Sequence, residues 1–454
     1  MSKKIWIIGA IITAVVLALP MVGNISVAKM TNKRIAMLEN NGIAVTSSDN
    51  GSNYMSTKSH YEFKLEDAAA FKAYLDSLSK AQVPAYMSSM LDDVVMAADV
   101  EYSNVLLNSD ISLDLYPVAF TDEASKRMQS EDALLYDQMM QMLRDRAFLY
   151  HMDYDVAGST FKGYIKDIDK EIVFQDGKKA KIVFESATFD GHGTLVEPTS
   201  VDLHVKNAAV DFRLPEDASM VLKLSELESK SHFSAKNSFD LDYKTKHLYF
   251  KFKDVLSTME IKAENMTSAS SSITVDGKLN TKVRAEVEAF DMNDANSSVK
   301  LKKLVFAMDA NGIDEAAYEA FQKASEQASA GSQYTMLAAV GVLAKGFTLN
   351  VDTLSVKQLS IRDSGMMDGF NHKIKIEVKK DDNLVQKIQV SPLALMQNIN
   401  IDADLRFKEK FYAYLKAHSG NLAMADSFAK KDQGDVRFEI LVKDGKITVN
   451  GIAL

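Results

Sequence analysis

Lys282-Val283-Arg284-Ala285-Glu286-Val287-Glu288-Ala289 alternates charged and apolar residues without a break. A period of two marks a strand with one apolar and one wet face, the habit of antiparallel sheets. The same alternation recurs outward from this stretch. Val201, Leu203 and Val205 alternate with Asp202, His204 and Lys206, and Leu248, Phe250 and Phe252 with His247, Tyr249 and Lys251. Ile374, Ile376 and Val378 oppose Lys373, Lys375 and Glu377. Two stretches change phase: Leu301 gives way to Leu304-Phe306-Met308 across Lys302-Lys303, and Leu354-Val356 to Leu359-Ile361 across Lys357-Gln358. A one-residue slip swaps faces, so each change predicts a β-bulge and a bent sheet. The clearest hairpin is the last. Val436, Phe438, Ile440 and Val442 alternate, Asp444-Gly445 supplies a two-residue turn, Ile447 and Val449 return, and Asn450-Gly451 follows. Strands at this spacing, about a dozen or more, read as long meanders.

Helical spacing is confined to a few places. Residues 25–38 continue as a helix stopped by Asn40-Asn41-Gly42. Ile43-Ala44-Val45 and Tyr61-Glu62-Phe63 read as strands around a polar loop from Ser47 to Ser59. Phe71, Tyr74, Leu75 and Leu78 make one helical face, and Pro84 suits the start of a second helix carrying Tyr86, Met90, Leu91 and Val94. Between Thr121 and Arg146, Leu135-Met139-Met142 and Tyr136-Met140-Leu143 form a broad apolar face, expected to pack as core. Asn311-Gly312 turns the chain into a helix with Ala317, Phe321 and Ala324. The run from Met336 to Ala344 is too short to cross a bilayer and reads as a buried helix, with an interfacial helix as the alternative. Phe407, Phe411, Tyr414 and Leu415 form the last helical cluster.

The fold expected is α+β and β-dominated: an N-terminal transmembrane helix, then long bent antiparallel sheets with helices packed on them. Four segments follow: 1–28, a signal anchor; 29–147, a juxtamembrane helix, hairpin and helical cluster; 148–310, an antiparallel β body; and 311–454, a helical insertion plus a C-terminal β/α region ending in a hairpin.

The anchor rests on residues 5–22, eighteen positions without a charge behind Lys3 and Lys4. At about 1.5 Å each they reach about 27 Å, close to a hydrocarbon core of roughly 30 Å. The alternative is a cleaved signal peptide with Ser26-Val27-Ala28 as its small-x-small site, and the length of the apolar run favours the anchor. Trp6, the one Trp of the chain, sits where an indole suits the interface.

Composition narrows the chemistry. No Cys exists among the 454 residues, which excludes disulfides, thiol nucleophiles, thiolate zinc sites and iron–sulfur clusters. Net charge is −9, and since the first 29 residues carry only Lys3, Lys4 and Lys29, the rest is more acidic still. An acidic body repels phosphate backbones, so nucleic acid is not an expected partner. No dinucleotide, P-loop, nucleophile-elbow or zincin motif occurs. The eight His, at 60, 151, 192, 204, 232, 247, 372 and 418, never fall two to four apart. His204 and His247 are expected on wet strand faces, and His418 packed at a helix end. Asp190-Gly191-His192-Gly193 reads as a turn, Asp167-Ile168-Asp169 as two carboxylates on one strand face, and Asp92-Asp93 as the polar side of a helix. None marks a catalytic, cofactor or metal site, so no cofactor is expected and the chain reads as a non-enzyme.

The Lys-flanked apolar span, the loop Gly51-Ser52-Asn53-Tyr54-Met55-Ser56, the long β-rich middle and the terminal Val442-Lys443-Asp444-Gly445-Lys446-Ile447-Thr448-Val449-Asn450-Gly451 hairpin resemble the YdgA-like family, a bacterial envelope family of unknown function. The middle also has the meander texture of AsmA-like lipid-transport proteins. The resemblance implies a single-pass inner-membrane anchor with a periplasmic body, and brings no catalytic residue. The expected role is a scaffold or accessory of an envelope machine, such as a flagellar motor or secretion complex, with an envelope protein or a second copy as partner. The alternative is a lipid-binding or lipid-transfer protein holding phospholipid in an apolar groove. The helices favour the scaffold, since their apolar faces suffice to cover much of the sheet, whereas a groove requires one long apolar face left uncovered.

Overall fold

The structure, a computed structural model, describes residues 36–52, 56–78, 92–103, 110–193, 198–214, 218–235, 237–255, 257–327, 333–362, 364–391, 393–419 and 425–454. The expected transmembrane helix and most of the helix at 25–38 lie outside these residues, as does the stretch from Pro84 to Leu91. Among the described residues no helix is long and apolar enough to cross a membrane. Strand makes up 62% of the structure, far above the ordinary quarter, so the chain is β-dominated as the alternation predicts. Contacts divide it into two compact units, Met1–Lys236 with Phe250–Leu256, and Asn237–Tyr249 with Ser257–Leu454.

The first unit contains β1 (Ile43–Ser52), β2 (Ser56–Leu65), α1 (Ala68–Leu78), β3 (Val94–Ser103), β4 (Asp110–Phe120), α2 (Asp122–Glu131), α3 (Ala133–Arg144), β5 (Tyr150–Asp155), β6 (Thr160–Ile165), β7 (Ile168–Val173), β8 (Lys179–Gly193), β9 (Pro198–Arg213) and β10 (Ser219–Ala235). Each strand from β1 to β5 pairs antiparallel with the next. β6 and β7 both pair with β8, which continues to β9 and β10. Residues 36–39 are helical, and Asn41 Nδ2 donates to the Met37 carbonyl at 2.6 Å as the chain turns through Gly42. Residues 47–52 and 56–59 of the polar stretch are strand, not loop. They pair within β1 and β2, with Ser48 opposite Tyr61, because cross-strand neighbours decide strand formation more than propensity does.

The core of this unit lies under α2 and α3. Thr121 caps α2 and Asp132 caps α3, and Leu135, Met139, Met142 and Leu143 are buried against Phe148, Tyr150, Ile172 and Ile182. The Met-rich face is therefore core, as expected. Val94 opens β3 instead of ending a helix, and Asp92-Asp93 is the turn before it, with Asp93 taking the Arg127 guanidinium at 2.5 Å. Asp190-Gly191-His192-Gly193 is the end of β8, not a turn. Its Gly191 is required because a Cβ there would collide with the Phe161 ring and the Ser200 carbonyl. A Cβ at Gly163 would likewise strike the Phe189 ring, so aromatic rings from the paired strand cover both glycines.

After β11 (Ser238–Lys253), the second unit continues with β12 (Thr258–Val275), β13 (Lys278–Asn293), β14 (Ser298–Asp314), α4 (Glu315–Gln327), α5 (Gln333–Ala344), β15 (Phe347–Ile361), β16 (Met367–Val378), α6 (Leu384–Val390), α7 (Leu393–Asn398), β17 (Ile399–Lys408), α8 (Glu409–His418), β18 (Lys430–Asp432), β19 (Asp435–Lys443), β20 (Lys446–Val449) and β21 (Ile452–Ala453). β12 to β17 pair in sequence order, β17 pairs with β19, and β19 leads through β20 to β21. Asp444 and Gly445 both have positive φ, the two-residue turn expected at the terminal hairpin, and Asn450-Gly451 repeats it. Asn311-Gly312 lies inside β14, with α4 starting at Glu315; Phe407 lies in β17, with α8 starting at Glu409. The run from Met336 to Ala344 is helical in α5 but only partly buried: Met336 and Leu337 are exposed, as is Tyr334 before them, while Ala344 is buried.

The phase changes have a different cause from the one expected. Leu301 pairs with Leu359 and Leu304 with Val356 in one unbroken register, so no residue is inserted at Lys303 or Lys357. Both strands change parity at the same row, where Lys303 takes φ 55°. The extra residue of β15 sits elsewhere, between Val351 and Leu354. The first unit repeats the device. Ser186 and Glu226, at φ 51° and 50°, stand on β8 and β10 where the apolar set passes from even to odd positions, again without a slip. Asn265, at φ 48°, does the same on β12. Ala180 and Ile182 from one half of β8 and Ala187 and Phe189 from the other enter one buried cluster, so the left-handed residue lets a parity change serve a single core.

Candidate functional site

Register collects what sequence spacing scatters. Across the first unit, Asp49 stands opposite His60, His60 opposite Asp99, Asp99 opposite Asp114, Asp114 opposite His151, and His151 opposite Tyr164. The row continues through Thr188 and His204 to Glu228. Directly opposed residues share a face, with Cβ atoms about 5 Å apart. Nine polar side chains thus cross nine strands in one line, and His192 and His232 lie on the same face four positions away. Five of the eight His therefore share one wet face. His204 is where the alternation put it.

The centre of this row is a closed network. His60 Nδ1 lies 2.5 Å from Asp99 Oδ1, while the Tyr116 hydroxyl and Arg146 Nη1 donate to Asp99 Oδ2 at 2.8 and 3.1 Å. The guanidinium stacks 3.9 Å over the Tyr116 ring. His151 Nδ1 lies 2.7 Å from Asp114 Oδ1. Burial pushes the Asp99 carboxyl up, but hydrogen bonds from His60 and Tyr116 and the Arg146 charge outweigh it and hold Asp99 below its ordinary 3.8. The hydrogen bond to Asp99 holds His60 above its ordinary 6.5. Burial, then Asp99, push the Tyr116 hydroxyl well up, so it stays a donor. Every member is spoken for, and none is an activated nucleophile. Among the described residues, no group of three or more His, Asp or Glu has the geometry to hold a metal ion.

The network makes a pH prediction. His60 stabilises below its ordinary pKa and loses that contribution as pH rises through the raised value. Asp99 stabilises above its ordinary pKa and loses it as pH falls through the lowered value. The pair contributes most between about pH 4 and 6.5. NMR titration is expected to give His60 a pKa above 6.5 in the native chain, returning downward in Asp99→Asn. An unshifted His60 in the native chain would dissolve the pair.

The carboxylates at 167 and 169 do not form a site. Asp167 Oδ1 accepts from the Ser186 amide at 2.7 Å, at the break between β6 and β7, and Asp169 pairs with Lys181 at 3.1 Å. His418 closes α8 at the helix end expected and stacks on Tyr414 at 4.2 Å, but it is exposed and not packed into the core.

The second unit presents the opposite chemistry. Met266, Val287, Leu304, Val356, Phe370 and Phe407 stand opposite one another in a single row across six strands. The next row runs from Ala285 through Phe306, Leu354, His372 and Leu405 to Phe438. Both rows belong to one apolar face. Val356 and Phe438 are buried, because α8 sets Phe411 and Tyr412 on that end. Towards β12 the cover thins, and Met266, Val287, Leu304 and Phe306 are only half-buried. The helix contacts of any extent in this unit fall on β14, β16, β17 and β19.

His372 is the polar exception on that face. Its ring stacks on Phe370 and meets Phe407 edge-on, each at 4.7 Å, and its Nδ1 is buried without a hydrogen-bond partner. Burial pulls its pKa down, which keeps the ring neutral. The signal was present in the sequence: His372 occupies an apolar beat of Phe370-x-His372-x-Ile374-x-Ile376.

Compared with family models, curated proteins and solved structures, the chain matches none of them.

Proposed function

We propose that this chain is a membrane-anchored, non-enzymatic protein of the bacterial envelope whose second unit holds lipid acyl chains on its apolar sheet face. The observation that carries the reading is the row Met266–Val287–Leu304–Val356–Phe370–Phe407, continuous across six strands, with α8 packed on its β15–β17 end and its β12–β14 residues only half-buried among the described residues. The helical faces were expected to cover much of the sheet, and among the described residues the β12–β14 part of this face is only half-buried. Each buried CH₂ contributes about 0.8 kcal/mol, so even a short length of chain laid there binds firmly. His372, neutral, keeps one buried nitrogen beneath this apolar surface without a hydrogen-bond partner among the described residues. The uncharged run at 5–22 tethers the body to the inner membrane, and the body lies in the periplasm, as the resemblance to the YdgA-like family implies.

A scaffold for an envelope complex is the second reading. The wide polar face of the first unit favours it, since nine aligned hydrogen-bonding side chains offer a surface to a protein partner or a second copy. Photo-cross-linking in living cells separates the two. A photoreactive residue replacing Phe306 in the full chain is expected to capture lipid, and one replacing Val305, its neighbour of opposite parity, is not. Protein adducts alone at position 306 would establish the scaffold reading, and no adduct at all would mean a closed core.

A further inference from the structure

Helix α5 has no charged residue in its twelve positions, Gln333 to Ala344. A helix apolar on all sides belongs inside a core or in lipid, yet Tyr334 is 60% exposed and Met336 63%. Its length, about 18 Å, is too short to span a bilayer. It is not alone. By register, the end of β12, the start of β13, the end of β14, the start of β15, the end of β16 and the start of β17 form one edge of the second unit's sheet. Helices α4 to α7 connect strands at that same edge. Val275, at the end of β12, is exposed there, and Val390, the last residue of α6, is 89% exposed. Large apolar side chains from three separate elements therefore meet solvent at one edge.

Three lysines around them are neutralised within the unit. Lys345 lies 3.2 Å from Asp382, Lys379 2.5 Å from Asp444, and Lys387 2.7 Å from Asp381. These three pairs leave no net charge among themselves for a charged protein partner to complement. A bilayer interface needs none, because it accepts apolar side chains below and neutral ion pairs at the headgroup level. The chain also carries, outside the described residues, the uncharged run at 5–22 whose length matches a hydrocarbon core.

We infer that this edge of the second unit docks on a lipid bilayer, with α5 lying in the interface and Tyr334, Met336, Val390 and Val275 as its inserting side chains. The inference rests on the anchored reading of residues 5–22 and is independent of whether the apolar sheet face carries lipid.

The test uses indole fluorescence in the full chain. Trp6→Phe removes the one native Trp, and Tyr334→Trp then places the only indole on α5. Tyr243→Trp, on β11, is exposed and lies five residues along the strand from Ser238, whose hydroxyl accepts from the Thr274 amide at the edge, and serves as the reference position. Each protein is reconstituted with phosphatidylcholine vesicles whose acyl chains carry bromine. Docking predicts a blue shift and loss of most of the emission at position 334, little change at position 243, and recovery of the 334 emission when Leu337→Asp is added. Vesicle association without quenching at 334 overturns docking and leaves the anchor standing. Equal quenching at both positions overturns it as well, since contact would then not be confined to this edge. Failure to associate with vesicles at all removes both the anchor and the inference.

Discussion

Replacing Asp132 by alanine is expected to destabilise the first unit by about 2–4 kcal/mol, the sum of a lost helix cap and of buried amide donors left unpaired. Asp132 is nearly fully buried, yet it is not a stray charge. Its carboxylate accepts the Leu135 amide at 2.9 Å, capping α3, and the Gln175 amide at 3.1 Å, fixing the turn between β7 and β8. One side chain therefore joins the helical layer to the sheet below it. Asparagine keeps an acceptor oxygen and should cost about 1 kcal/mol. Hydrogen exchange gives a local reading: the Leu135 and Gln175 amides should lose protection in Asp132→Ala and keep most of it in Asp132→Asn. Unchanged protection at both amides in the alanine variant would show that the cap contributes nothing.

The second large effect is at Tyr150. It is almost wholly buried and stacks on Phe189 with ring centroids 4.9 Å apart. Among the described residues its hydroxyl finds only the Met152 sulfur, at 3.6 Å, a weak acceptor. Tyr150→Ala opens a cavity beneath the sheet and is expected to cost about 3–5 kcal/mol, whereas Tyr150→Phe, which removes only the poorly bonded oxygen, should stay within about 1 kcal/mol. Denaturant midpoints of the three proteins would check this. Equal losses in the alanine and phenylalanine variants would mean that the hydroxyl, not the ring, matters. Burial also pushes the Tyr150 hydroxyl far above its ordinary pKa, so this site adds no pH dependence near neutrality.

Much of the fold was legible because strand alternation is a local signal. Val283 to Ala289 and the Asp444-Gly445 hairpin lie where the pattern put them. The failures share a physical form. Residues 47–52 and 56–59 are poor in strand-forming residues and are strand because their neighbours across the hairpin make them so. Val94 and Phe407 continue helical spacings by coincidence and take their state from the strands beside them. The parity change at Leu301–Leu304 was visible, but its mechanism was not, because Ser186, Glu226 and Lys303 are not residues that announce a left-handed backbone. The polar row was invisible for another reason. His60, Asp99, Asp114 and His151 are 39, 15 and 37 residues apart in sequence, and only register brings them together. His372 could have been noticed, as a polar residue on an apolar beat.

The left-handed residues stand on alternate strands, β8 and β10 in the first unit and β12 and β14 in the second, while their partners β9, β13 and β15 change parity without one. A single added strand would lack either its own twist point or a partner that has one. A pair of strands brings both. The quantum of growth and loss in such a meander is therefore the hairpin, and lineages of this chain should differ in length by whole hairpins, each duplication copying one twisted strand together with one plain one.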